Sequence, residues 1–407
     1  LQAKKKWDLA AIASIPVIMT LANSMLIPVL PLMEKKLHIS SAQGSLIITV
    51  YAAVAIIFIP IAGYLSDCFG RKKIIIPSLI IAAAGGVVSG LGAWLFQGLA
   101  AYWIILAGRF IQGIGAAGAF PIVLPLIGDM FKNEEDVSSS LGIVETSNTM
   151  GKVLSPIIGS ALAMVLWYFP FLIIPFVCLI SIVAVAWLVK APKSNSDNNP
   201  MAFREFIAGV KKLLKEEGRW LYAIFAIGGI AMFVLFGFLF YLSNILEDRH
   251  QIKSIWKGLL LSIPLVAVCL SSFIGGKFVG KNKQRMKWVT VAGIVIQFAA
   301  LLVIAIWNPA HKISLLLLLS GAGMGIGLSL PCLDALITEG IEKEQRGTIT
   351  SLYSSMRFIG VASGPLIAAL IMNHAPALFY TFTAVSAAAG LTALLAIKPG
   401  ASKEKPV

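Results

Sequence analysis

Charge is scarce in this chain. Of its 407 residues only 13% are Asp, Glu, Lys or Arg, while 58% are hydrophobic. A water-soluble domain needs roughly a quarter to a third charged residues to cover its surface, so that class is excluded. Cysteine is scarce as well. Cys68, Cys178, Cys269 and Cys332 form no Cys-x-x-Cys pair and lie in or beside apolar runs. A disulfide framework or zinc site is therefore not expected; they read as small buried apolar residues. His38, His250, His311 and His374 are scattered over separate gaps and suit no metal cluster. No His-Glu-x-x-His, Gly-x-Ser-x-Gly or Walker loop occurs. Neither an embedded enzyme nor an ATP-driven pump within this chain is expected, and no cofactor or metal is implied. The formal charge of +14 comes without aromatic–basic interleaving, which argues against a nucleic-acid partner.

What the chain has in abundance is long apolar runs. A helix crosses the ~30 Å hydrocarbon core with ~20 residues. Twelve runs qualify, at 9–32, 43–66, 74–96, 101–128, 139–166, 169–190, 220–246, 256–279, 288–308, 313–338, 348–372 and 376–397. The run at 9–32 follows Lys4, Lys5 and Lys6 and is too long for a signal peptide, so it reads as a retained first span. An all-α membrane protein results, with one bundle over 1–190, a polar linker over 191–219 and a second bundle over 220–407. Within the linker Phe203, Phe206, Val210, Leu213 and Leu214 share a helical face among Lys211, Lys212 and Lys215. That pattern predicts an amphipathic helix on the membrane surface. Lysines and arginines collect in the gaps on the side of the N-terminus, so both termini are expected in the cytoplasm, and the protein in the cell membrane.

The two bundles echo one another. Gly151 and Pro156 recur as Gly360 and Pro365, Pro121 recurs as Pro331, and Gly63-Tyr-Leu-Ser-Asp67 recurs as Gly276-Lys-Phe-Val-Gly280. Duplicated six-helix units can rock about a site at their interface. The turn after the second run reads Gly63-Tyr-Leu-Ser-Asp67-Cys-Phe-Gly70-Arg71-Lys-Lys. It resembles the signature loop of the major facilitator superfamily, with Cys68 where a basic residue is common. Arg109 to Ala117 resembles the fourth-helix motif of proton-coupled members. Gly151-Lys-Val-Leu-Ser155-Pro156-Ile-Ile-Gly159-Ser160 resembles the fifth-helix antiporter motif, with serine at two glycine positions. The resemblance implies the twelve-helix facilitator fold. It further implies gating roles for Gly63, Asp67, Gly70, Arg71, Gly151 and Pro156, and an influence of Arg109 on proton movement. The glycines around Gly113 and Gly115 spell Gly-x-Gly-x-x-Gly, but inside an apolar helix they serve close packing, not a dinucleotide.

Charges inside spans are costly and face protein cavities. Here they are Arg109, Glu145, Lys152 and Arg357, with Asp334 about a turn inside the tenth run. Glu145, Asn148 and Lys152 share a helix face and are expected to form a polar cavity wall. Glu145 is the expected proton carrier, modulated by Arg109 and aided by Asp334. Asn23, Gln112, Asn148, Lys152 and Arg357 are the expected cavity lining. Three cations against one clear acid point to an anionic or zwitterionic amphipathic substrate. The expected function is a proton-coupled efflux antiporter, acting as a monomer in the bilayer on a small molecule. Uptake symport, uniport and lipid flipping on the same fold are the alternatives.

Overall fold

The computed structural model describes residues 3–131, 134–189, 218–279, 282–340 and 343–397. Among them every long element is an α-helix and no strand occurs. Hydrocarbon offers no partner to a free N–H or C=O, and a helix satisfies these groups within one segment. The helices are α1 (Ala3–Ser24), α2 (Leu30–Leu37), α3 (Ser41–Phe69), α4 (Arg71–Leu95), α5 (Gly98–Ala119), α6 (Val123–Met130), α7 (Glu134–Val165) and α8 (Phe169–Leu188). They continue as α9 (Gly218–Asp248), α10 (Ser254–Val279), α11 (Lys283–Trp307), α12 (Lys312–Gly340), α13 (Lys343–Ile371) and α14 (Ala375–Ala396). The linker with its expected surface helix lies outside the described residues, except Gly218 and Arg219, which open α9. Gly280 lies outside them too.

Eleven segments are long and apolar enough to cross a membrane. The twelfth crossing is α7, which spans 32 residues and is made less apolar by Glu145, Asn148 and Lys152. Two expected spans are not single helices. The first is α1, a 3-10 turn (Ile27–Val29) and α2; the fourth is α5 and α6. The breaks follow proline, which lacks an N–H and crowds the carbonyl four residues back. Pro28 and Pro31 open the 3-10 turn and α2, and Pro121 separates α5 from α6. Its repeat partner Pro331 stays inside unbroken α12, so that sequence echo is not a conformational one.

Twelve crossings return the chain to the side where it started. We call that side the Arg71 face and the opposite side the Lys35 face. Exposed Trp7, Trp187 and Trp288 lie towards the first, and exposed Trp94, Trp103 and Trp307 towards the second, as aromatic belts at two interfaces. The duplication shows in a shared device. Lys72, at the start of α4, donates to Ala186 O and Val189 O at the end of α8, both at 2.7 Å. Lys287, at the start of α11, donates to Leu394 O at the end of α14, at 2.9 Å. A lysine thus satisfies last-turn carbonyls in both bundles.

The bundles meet along two seams, α3 against α13 and α7 against α10. In the first, Thr49 Oγ1 donates to Ala362 O at 2.7 Å. In the second, Ser262 Oγ donates to Val153 O at 2.8 Å. Pro156 leaves the Lys152 carbonyl without its helical donor, and Ser155 Oγ donates to it at 2.9 Å. Serine at that motif position therefore repairs the backbone that proline disturbs.

Inside the first bundle α5 packs closely on α3. A Cβ on Gly113 would lie 2.6 Å from Tyr51 O and 2.9 Å from Val54 Cβ. Gly113→Leu is expected to force these helices apart at a cost of about 1–3 kcal/mol, read as a lower melting temperature in detergent and a lower membrane yield.

Candidate functional site

Between the bundles lies a cavity with about 580 Å³ of atom-free space, counted out to its open mouth. Its N-terminal wall is Thr20, Asn23 and Ser24 of α1, Tyr51 of α3, and Asn148 and Lys152 of α7. Its C-terminal wall includes Phe236 of α9 and Ser354, Arg357 and Phe358 of α13. Four of the five residues expected to line it therefore do so: Asn23, Asn148, Lys152 and Arg357. Gln112 does not. Its side chain lies against α4, where a Cβ on Gly86 would sit 3.2 Å from Gln112 Nε2.

The polar stripe on α7 forms a chain of contacts. Thr20 Oγ1 donates to Asn148 Oδ1 at 2.6 Å, and Asn148 Nδ2 donates to Glu145 Oε1 at 3.2 Å. Lys152 lies one turn beyond Asn148 on the same face. It is 7% exposed and has no hydrogen bond or ion pair among the described residues. The charges nearest it are Glu145, Arg357 and Asp334. Arg357 pairs loosely with Asp334, at 3.5 Å, and lies over the Tyr353 ring. The cationic excess expected from the sequence is therefore smaller than a count of residues implies: Asp334 attends Arg357, and Arg109 lies away from the cavity. The uncommitted cation in the wall is Lys152.

Arg109 is fully buried in the first bundle. Its guanidinium donates to Ile47 O at 2.8 Å, Ala22 O at 3.1 Å, Gln112 Oε1 at 2.6 Å and Asn23 Oδ1 at 2.5 Å. The Tyr51 ring centroid is 4.3 Å from its central carbon. Every partner is neutral, and together they tie α1, α3 and α5. Glu145 is not among them.

The turn at Gly70 has φ +97°, a conformation glycine adopts without steric cost. Arg71 forms an ion pair with Asp67, reaches Asp129 of α6 at 3.2 Å, and donates to Ser66 Oγ at 2.6 Å. These contacts stay within the first bundle. Contact with the second bundle comes at Gly63, where a Cβ would meet Ser351 Oγ at 3.2 Å. Gly151 lies against Val17 of α1, and Pro156 against Gly258 of α10.

On its Arg71 side the cavity is followed by the Asp334 side chain, which is 31% exposed. It is closed towards the Lys35 face in two layers. An apolar layer of Ile27, Leu235, Leu239, Leu261 and Leu265 surrounds a narrow extension beyond Lys152. Above it, Lys35 of α2 meets Glu247 and Asp248 of α9, while Lys257 of α10 meets Glu247. The sequence reading passed over these residues because they sit at the ends of apolar runs, where charge is ordinary. The available signal was Lys257, one residue inside its run, facing an acid just past the end of the run before it.

Comparison with known proteins gives a consistent picture. The model of the Major Facilitator Superfamily matches residues 12–365. A bacillibactin exporter of Bacillus subtilis (strain 168) is 53% identical over 93% of this chain and 92% of its own length. Multidrug resistance protein 2 of the same organism is 24% identical over 90% of this chain and 89% of its own. The crystal structure of the human organic anion transporter MFSD10 superposes with a TM-score of 0.73, covering 97% of this chain and all of that one, at 18% identity.

The Arg109 contacts carry a prediction. A lysine has neither the fork nor the reach to make four bonds to three helices. Arg109→Lys is expected to lose on the order of 3 kcal/mol of stability. Thermal unfolding in detergent measures it; an unchanged midpoint overturns the structural role.

Proposed function

The chain belongs to the Major Facilitator Superfamily, and we propose that it exports small anionic or zwitterionic amphipathic compounds, with bacillibactin the first candidate. It is a multi-pass membrane transporter and not an enzyme. The observation that carries the proposal is Lys152, a buried ammonium in the cavity wall with no hydrogen bond or ion pair among the described residues. An unpaired buried charge is costly, and a substrate's acidic group is the partner that would relieve it. Arg357, held loosely at 3.5 Å by Asp334, is a second anion contact. Tyr51, Phe120, Phe236 and Phe358 supply the apolar and aromatic walls that amphipathic ligands need.

Export is favoured over uptake by two considerations. The 53% relative is an exporter along nearly the whole chain. With Ala3 and Ala396 placed in the cytoplasm by the basic-residue bias, an inside-negative potential drives an anion outward, by ~2.3 kcal/mol per charge per 100 mV. We assign proton exchange to Glu145, which ends the Thr20–Asn148 chain on its Arg71 side. It takes a proton on the return of the empty carrier. Arg109 acts by holding α1 and α3 in place, and Asp334 by competing with substrate for Arg357.

Proteoliposomes with a pH gradient and a membrane potential imposed separately test this reading. Bacillibactin and an anionic dye are expected to leave the compartment that mimics the cytoplasm, and a cationic dye to compete poorly. Inward accumulation, or preference for the cationic dye, overturns it. Lys152→Gln is expected to raise the KM for the anionic substrates about tenfold or more, with Lys152→Arg retaining part of the affinity. Glu145→Gln is expected to abolish the response to the pH gradient while the response to potential survives. An unchanged pH profile in that variant rules out Glu145 as the carrier.

A further inference from the structure

The Lys35 face is held shut by an arrangement that shares one carboxylate between the two bundles. Glu247 uses both oxygens. Its Oε2 accepts from Lys257 Nζ at 2.6 Å, and its Oε1 accepts from Lys35 Nζ at 2.9 Å. The two lysines differ in kind. Lys257 belongs to the same bundle as Glu247, and the side chains of that pair are 4% and 5% exposed. Lys35 comes from the other bundle, is 55% exposed, and also reaches exposed Asp248 at 3.2 Å. Beneath them Ser243 Oγ of α9 donates to Ile27 O of the first bundle at 3.0 Å, at the apolar layer that closes the cavity.

Alternating access requires the bundles to separate on this face in one half of the cycle. Separation pulls Lys35 away from Glu247 and Asp248, but it need not disturb Lys257. We propose that Glu247 is the gate residue of the Lys35 face, with Lys35 as its departing partner and Lys257 as its resident one. Lys35 leaves for water, where its charge is well solvated, and a rim ion pair of that kind is worth little. Glu247 keeps Lys257 throughout, so opening never strands a buried carboxylate, which is the expensive outcome. Without the resident lysine, Lys35 is the sole counter-charge of a buried acid, and the gate becomes costly to open. The geometry thus sets two lysines on one acid to opposite effect. This inference rests on the two-bundle architecture and is independent of the substrate and the coupling ion.

Spin labels at exposed Lys36 and Arg249, in full-length protein with its four cysteines replaced and held in lipid nanodiscs, report the separation of the bundles on this face. Lys35→Gln is expected to raise the population of the longer distance roughly two- to fivefold, the size of one partly exposed ion pair. Lys257→Gln is expected to lower that population below the wild-type value and to slow turnover, with Lys257→Arg restoring both. A merely structural lysine at 257 predicts a lower melting temperature with no change in the distance ratio. Both variants shifting the ratio in the same direction, or neither shifting it, overturns the proposal. Should Lys257→Gln fail to fold, Lys35→Gln and Lys35→Glu decide: both must favour the longer distance, Lys35→Glu more strongly, or the gate assignment falls.

Discussion

Hydrocarbon gives a polar group no water to fall back on. That constraint dictates the helices, since only intra-segment bonding satisfies the backbone at this depth, and it then governs each charge that the helices carry inward. The chain meets it in three ways. Arg109 is paired with neutral acceptors from three helices through four of its five N–H donors. Glu247 and Lys257 neutralise one another in a sealed layer. Lys152 has no hydrogen bond or ion pair among the described residues. The first two arrangements stabilise or gate the fold. The third leaves a buried cation in the cavity wall.

The same constraint explains where the helices break. Removing one backbone N–H in lipid costs least when something else takes the freed carbonyl. At Pro156 the hydroxyl of Ser155 does so, and α7 runs on unbroken. At Pro28, Pro31 and Pro121 the chain instead changes helix. The first of these breaks lies beside the cavity residues Asn23 and Ser24 and leads directly to the apolar layer and to Lys35. The break therefore positions cavity wall, plug and gate charge in order along one short stretch.

Periodicity and composition made most of the architecture legible. Twelve apolar runs correspond to twelve crossings, and Asn148 and Lys152 of the α7 stripe line the cavity, because residues three or four apart on a helix share a face whatever surrounds it. Three things were not legible. The broken first and fourth spans follow from proline geometry, which an apolar run conceals. Gln112 is polar and lies near Arg109, so it read as cavity lining. Its direction is instead set by Gly85 and Gly86 on another helix, through packing that no local pattern encodes. The Lys35–Glu247–Lys257 cluster joins residues more than two hundred positions apart, and each of them alone looks like an ordinary interfacial charge.

These arrangements also account for the difference between the two ends of the cavity. On the Arg71 face, Asp67, Arg71 and Asp129 are satisfied within the first bundle, and Asp334 and Arg357 within the second. Among the described residues no ion pair there joins one bundle to the other, and at that seam Gly63 lies close to Ser351. On the Lys35 face one lysine, Lys35, joins them by pairing with Glu247 and Asp248. Separating the bundles at the Arg71 face therefore breaks no ion pair among the described residues, while separating them at the Lys35 face breaks two, both to Lys35. The two ends of the cavity differ by that imbalance of ion pairs. A bound anion at Lys152 would alter it from inside, because Lys152 lies on α7 immediately beneath the apolar layer. Its neutralisation removes a buried positive charge from the seam between α7 and α10, the surface along which the bundles must turn.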